Sequence, residues 1–205
     1  IGSGQMGNGI AHVAALAGLD VVLSDISADR LKSAMATING NLSRQVAKQH
    51  ITEEARKAAL GRIASAETLE GLADCDLVIE TAVEKEEVKR KIFHDLCAVL
   101  KPEAIVASNT SSISITRLAA ATDRPEKFIG IHFMNPVPVM ELVELIRGIA
   151  TNDETFETAK AFVGKLGKQV AVSEDFPAFI VNRVLLPMIN EAIYTLYEGV
   201  GNVEA

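Results

Sequence analysis

His132 and Glu144 stand twelve residues apart in the stretch FIGIHFMNPVPVMELVE, residues 128–144. Alternating apolar residues lead up to His132, Pro136 and Pro138 break the run, and a second apolar segment carries Glu144. The pattern predicts strand, loop, strand. A hairpin centred near Pro138 places residues 132 and 144 opposite each other, with Cβ atoms about 4.5–5.5 Å apart. A histidine touching a carboxylate in apolar surroundings is the arrangement of a general base with its orienting acid. The same pair also fits a core histidine beside a structural ion pair, since such networks perturb histidines too.

A second constellation opens the chain. Residues 1–7, IGSGQMG, match G-x-G-x-x-G at Gly2, Gly4 and Gly7. The match gains weight from its context: an apolar helical pattern follows through Ile10, Val13 and Ala17, then a strand, 21–24, that closes on Asp25. Asp25 lies 23 residues after Gly2, near the ~20-residue spacing of a ribose-binding acid. In such a loop the first glycine makes the turn, the second lets backbone approach a pyrophosphate, and the third lets the helix pack on the strand. The helix N-terminus then faces the phosphates. Gly2, Gly4, Gln5, Met6, Gly7 and Asp25 are therefore candidates to hold NAD, with Asp25 accepting the ribose hydroxyls and repelling a 2′-phosphate. The alternatives are a ligand-free βα turn and, for Asp25, a simple helix-entry residue.

The elements that would position these groups alternate. Residues 27–60 read as polar helices with Ser27 as cap, and Arg44, Lys48, His50, Arg56 and Lys57 make them the most basic part of the chain. This surface is either a solvated helical hairpin or a landing site for a phosphate-bearing substrate. Strands are expected at 63–65 and 76–83, a helix from about Glu86 to Leu100 stopped by Pro102, and a strand at 104–107. That last strand delivers Ser108-Asn109-Thr110-Ser111-Ser112 at its C-terminal end, where open α/β sheets bind ligands; turn chemistry is the other reading. A helix near 115–121, a helix over 153–166 capped by Thr151 or Asn152, and a strand at 169–172 follow. From Ala178 to Tyr197 the chain reads as a helix apolar nearly all round, interrupted early by Asn182 and Arg183, and a helix of that kind is expected to be buried. The alternation points to a doubly wound, mostly parallel, Rossmann-like α/β sheet over 1–174, with an all-α C-terminal domain beginning at 175–205.

Composition bounds the rest. The chain has 205 residues, 48% hydrophobic and 23% charged, as in a globular protein. It has no apolar run long enough to span a membrane. Its net charge of −7 argues against a general nucleic-acid partner. Cys75 and Cys97 lack metal-type spacing, so no metal site is expected. Two isolated cysteines fit a reducing compartment, the cytoplasm of a bacterium or the mitochondrial matrix of a eukaryote. Only Ile1 precedes the glycine loop and little follows the apolar helix, so the native protein is expected to extend at both ends.

With GSGQMG, SNTSS (108–112), HFMNPVPVMELVE (132–144) and DFPAFIVNR (175–183) in view, the sequence resembles the 3-hydroxyacyl-CoA dehydrogenase family from Ile1 to its end, most closely its short-chain 3-hydroxybutyryl-CoA members. The resemblance implies NAD-dependent oxidation of an (S)-3-hydroxyacyl-CoA, or the reverse reduction, with His132 as base and Glu144 as its partner. It implies that Ser111 and Asn182 contact the reacting end of the substrate, that Asn135 lies near the nicotinamide, and that Glu84 and Lys89 contact the cofactor. Lys48 matches a lysine that meets coenzyme A, and the loop residues Asn109 and Ser111 fall among the cofactor contacts. It also implies a helical domain beyond 175 that closes the cleft and forms a homodimer. One departure is Ala178, where the family usually has Gly. A non-catalytic, crystallin-like NAD-binding relative is one alternative, weighed down by the joint presence of His132, Glu144, Ser111 and Asn182. A different β-hydroxyacid dehydrogenase is another; it would need a lysine base beside an Asn in the helix after 177, and none is there.

Overall fold

Short apolar runs bounded by turn residues become strands, and longer amphipathic runs become helices. The computed structural model describes residues 1–205. Its strands are β1 (Val21–Ser24), β2 (Ile63–Ala66), β3 (Leu77–Glu80), β4 (Ile105–Ser108), β5 (Phe128–Phe133), β6 (Leu142–Arg147) and β7 (Gln169–Glu174). Its helices are α1 (Gln5–Leu16), α2 (Ala28–Ala47), α3 (Glu53–Gly61), α4 (Glu86–Cys97), α5 (Ile115–Ala119), α6 (Asp153–Lys165) and α7 (Val181–Tyr197). Ser27, Thr52 and Asn152 cap α2, α3 and α6 by accepting the backbone N–H three residues on.

β1 and β2 pair in parallel, and β3-β4-β5-β6-β7 form a second ladder in that order. Only β5 and β6 are antiparallel. Ile1 and Gly2 join the ladders. Gly2 N donates to Ser24 O beside β1 (2.8 Å), while Ile1 N donates to Ile79 O and Thr81 N to Ile1 O beside β3 (2.8 Å each). The result is one doubly wound, mostly parallel sheet, as the alternation of elements predicted.

Period two along β5 and β6 separates two cores. Ile129, Ile131, Phe133, Val143 and Leu145 point to one face, against Phe156 and Val163 of α6. Phe128 and Ile146 point to the other, with Phe93 of α4 and Ile115 and Leu118 of α5. His132 and Glu144 share the register of Phe128 and Ile146, and they are direct cross-strand partners. The hairpin symmetry about Pro138 is therefore borne out.

The clearest departures from expectation are two helix boundaries and one burial. α4 ends at Cys97, not Leu100, because the chain tightens into an i→i+3 turn there (Val99 N to Leu96 O, 3.0 Å) before Pro102. α7 starts at Val181, not Ala178, because Ala178 and Phe179 take left-handed φ of 68° and 51°. Finally, no residue of α7 is buried, contrary to the burial its apolar sequence predicts; Leu186, Met188, Ile193 and Tyr197 are all exposed. No helix is long and apolar enough to cross a membrane.

Gly7 sits where α1 crosses the glycine turn. A Cβ built there would lie 1.7 Å from Gly2 O, a backbone atom that cannot swing aside. Gly7→Ala should therefore lower unfolding stability by the upper end of the overpacking range, about 3 kcal/mol. Urea denaturation reads this directly, and an unchanged midpoint would refute the close packing of helix on turn.

Candidate active site

The glycine loop leaves a cradle at the C-terminal edge of β1. A Cβ on Gly4 would meet nothing within 4 Å. No side chain caps the first N–H groups of α1, so their partial positive charge is free for a phosphate. Asp25 follows directly on β1. Its Oδ2 accepts from Ser3 N and Ser3 Oγ (2.9 Å each) and its Oδ1 from Ser27 N (3.2 Å). Burial pushes this carboxyl up, but the Ser3 and Ser27 hydrogen bonds and Arg30 outweigh it and hold it below its ordinary value. It is thus a charged acceptor. With three of its roughly four acceptor sites in use, taking two ribose hydroxyls requires the Ser3 hydroxyl to rotate away. These residues fit a dinucleotide.

A polar groove of about 560 Å³ runs from this loop between α1, α2 and the turn 135–138. Gln5, Thr37, Asn41 and Asn135 are among its walls. A separate hollow of about 440 Å³ lies on the other side of Pro138, lined by Gln45 and Lys168 among others. The turn is fixed from behind, because Lys168 Nζ donates to Val137 O (2.7 Å) and Met140 O (2.6 Å).

His132 and Glu144 meet as their register requires. His132 is 5% and Glu144 0% exposed. Nδ1 of His132 lies 2.7 Å from Glu144 Oε2, and Nε2 lies 3.1 Å from Ser111 Oγ. Burial pushes the Glu144 carboxyl up, yet His132 and the amides of Val181 and Ile180 together hold it below its ordinary value. A carboxylate can only accept, so Nδ1 carries a proton, and in the neutral ring Nε2 is then the acceptor facing Ser111. Glu144 Oε1 takes Ile180 N (2.9 Å) and Val181 N (2.8 Å) at the start of α7. Asn182, one residue on, donates from Nδ2 to Ser111 O (3.3 Å). Such a histidine, backed by a charged partner and facing a hydroxyl, can accept a proton at Nε2.

The structure brings His132, Glu144, Ser111 and Asn182 together. It seats other expected residues one layer back. Glu84 grips the 108–112 loop, accepting from Thr110 Oγ1, Ser111 N (2.9 Å) and Ser112 Oγ (3.1 Å). Lys89 is 1% exposed, with its ammonium on both oxygens of buried Glu80 (2.7 and 2.9 Å) and 3.4 Å from Glu84. Asn109 Oδ1 accepts Phe133 N (2.8 Å), tying the loop to β5. Asn135 is exposed on the groove, and Lys48 is exposed at the end of α2, three residues past Gln45. Sequence reasoning missed Glu80, Asp175 and Phe179. Glu80 at a strand end with Lys89 nine residues on was a readable signal. Phe179 packs edge-on against His132, 5.9 Å between ring centres, through a backbone turn that the sequence does not advertise.

The family described as "3-hydroxyacyl-CoA dehydrogenase, NAD binding domain" matches residues 1–176. A 3-hydroxybutyryl-CoA dehydrogenase of Bradyrhizobium diazoefficiens is 85% identical over 205 residues, all of this chain and 70% of that protein. A probable 3-hydroxybutyryl-CoA dehydrogenase of Deinococcus radiodurans is 49% identical over all of this chain and 73% of its own length. The crystal structure of (S)-3-hydroxybutyryl-CoA dehydrogenase from Ralstonia eutropha superposes with a TM-score of 0.95 at 46% identity, over 99% of this chain and 72% of that one.

The left-handed Ala178 yields a stability test. An L side chain in that conformation costs roughly 1–2 kcal/mol, part of which glycine returns through its freer unfolded chain. Ala178→Gly should therefore raise stability by about 0.5–1 kcal/mol, read as a higher denaturation midpoint. A lower midpoint would show that the segment is not held in this conformation.

Proposed function

The chain belongs to the 3-hydroxyacyl-CoA dehydrogenase family, and from that premise we propose that it interconverts (S)-3-hydroxybutyryl-CoA and acetoacetyl-CoA with NAD, using His132 and Glu144 as its proton-transfer pair. One observation carries the reading: Nε2 of a buried, carboxylate-backed histidine faces Ser111 Oγ at the edge of the sheet that also carries the glycine loop. Held at the glycine loop, NAD would supply the hydride-accepting chemistry for C3 of the substrate. The chain's own residues handle the proton. His132 takes it from the C3 hydroxyl at Nε2, and Glu144 stabilises the imidazolium that forms. Ser111 and Asn182 hold the hydroxyl and thioester oxygens. Alignment of this kind supplies several kcal/mol of the barrier reduction.

Binding is divided between two surfaces. Gly2, Gly4, Gln5, Met6, Gly7 and Asp25 hold the dinucleotide; Asn135 lies at its nicotinamide end, and Asn109, Glu84 and Lys89 support it through the 108–112 loop. The coenzyme A portion follows the polar groove along α2 towards Lys48, whose exposed ammonium suits a phosphate. The helical unit from about residue 175 is the dimer-forming part, a reading supported by the exposed apolar side chains of α7. The bacterial relatives point to a bacterial cytoplasm as the setting.

Two measurements test this. Acetoacetyl-CoA should drive oxidation of NADH by the wild type, and His132→Gln should lower kcat by about 10²–10⁴-fold with NADH affinity little changed. Near-normal turnover by the variant would end the proposed mechanism. Asp25→Ser should weaken NADH more than NADPH and shrink the ratio of their kcat/KM values; a ratio that stays put would place cofactor selection elsewhere.

A further inference from the structure

The groups around His132 come from three separate stretches: the β5–β6 hairpin, the loop carrying Ser111, and residues 175–182. The third is held at both ends. At its start Asp175 Oδ2 accepts from Ser114 Oγ (2.6 Å) and Thr116 N (2.8 Å), and its Oδ1 from Ile115 N (2.9 Å). These donors open α5, three residues past Ser111. At its far end Ile180 N and Val181 N grip Glu144. In between, two consecutive non-glycine residues, Ala178 and Phe179, are left-handed, and Phe179, 3% exposed, lies against the His132 ring. Strained residues of this kind persist only where their surroundings over-determine them.

We propose that Asp175 is a positioning residue for the reaction, coupling the Ser111 loop to the first turn of α7 and, through Glu144, setting the alignment of Ser111, His132 and Asn182. The inference rests on the reading of His132 and Glu144 as the proton-transfer pair. Asp175 touches none of those four side chains; it ties the start of the segment to the residues that follow the Ser111 loop. Without its carboxylate the segment 175–179 relaxes out of its left-handed turn. The Ile180 and Val181 amides then leave Glu144 Oε1, and Asn182 leaves Ser111 O. A misplacement of about 1 Å in a catalytic constellation costs on the order of 10²-fold in rate.

The test is a double-mutant cycle on the whole protein with acetoacetyl-CoA and NADH. Asp175→Asn keeps the shape but replaces one acceptor oxygen with a donor. It should lower kcat by about 10–100-fold, with KM for NADH within about two-fold because the glycine loop is anchored elsewhere. In a Glu144→Gln background the same change should cost less than about three-fold, since the coupled unit is already broken. Ser114→Ala removes a single bond and should lower kcat less, while Ser114→Thr, which keeps the hydroxyl, should restore it. If Asp175→Asn does not fold, the Ser114 pair decides. A purely structural Asp175 would lower the thermal midpoint and leave kcat intact, or its effect would multiply with that of Glu144→Gln; either result overturns the proposal. Absence of turnover in the wild type would refute the proposed activity instead.

Discussion

A carboxylate with no exposure to water must be fully satisfied, and the candidate active site is built around that requirement at Glu144. Burying an unpaired charge is far too costly to persist. Glu144 meets the demand with His132 on one oxygen and two amides on the other. The first contact follows from the register of the β5–β6 hairpin. The second recruits the N-terminus of α7, whose partial positive charge suits an anion. One buried charge thus orients the histidine and seats the helix that carries Asn182.

A second buried charge does similar work from the other side. Glu80 is held by Lys89, by Ser108 Oγ and by Ala82 N. The Lys89 ammonium reaches on towards Glu84, which grips the backbone and hydroxyls of the 108–112 loop. Ser111 therefore faces His132 from a loop pinned by a carboxylate, not from a free turn. The two systems touch at Ser111, which receives Glu84 on its amide, Asn182 on its carbonyl and His132 near its hydroxyl.

Much of this was legible in the chain. Period-two patterning with Pro136 and Pro138 between the strands was enough to set 132 against 144. The glycine spacing marked the tight turn into α1 with Asp25 beside it, and the position of Ser111 after a strand marked the sheet edge. What stayed hidden depends on distance in sequence. Asp175 finds its partners about 60 residues back, where no periodicity connects them. The late start of α7 is not signalled by Ala178 or Phe179 themselves, neither of which favours a left-handed backbone; the family's usual Gly at position 178 was the one hint. Lys89 was expected at a ligand surface, but the nearby Glu80 draws its ammonium inward.

One contact between α1 and the turn after β5 limits where the groove can change shape. A Cβ at Gly9 would come within 2.9 Å of Val137 Cβ, and Lys168 pins the same turn from behind. The dinucleotide-facing helix and this wall of the groove are thus interlocked, with no slack for a larger side chain on either. The opposite wall, on α2, presents Ser33, Thr37 and Asn41 from a helix whose outer face is solvated. Variation in the shape of the groove is therefore channelled to one side. Substitutions on α2 can therefore reshape the groove at little cost in packing, while a larger side chain at Gly9 or Val137 would have to displace α1 or the turn as a whole.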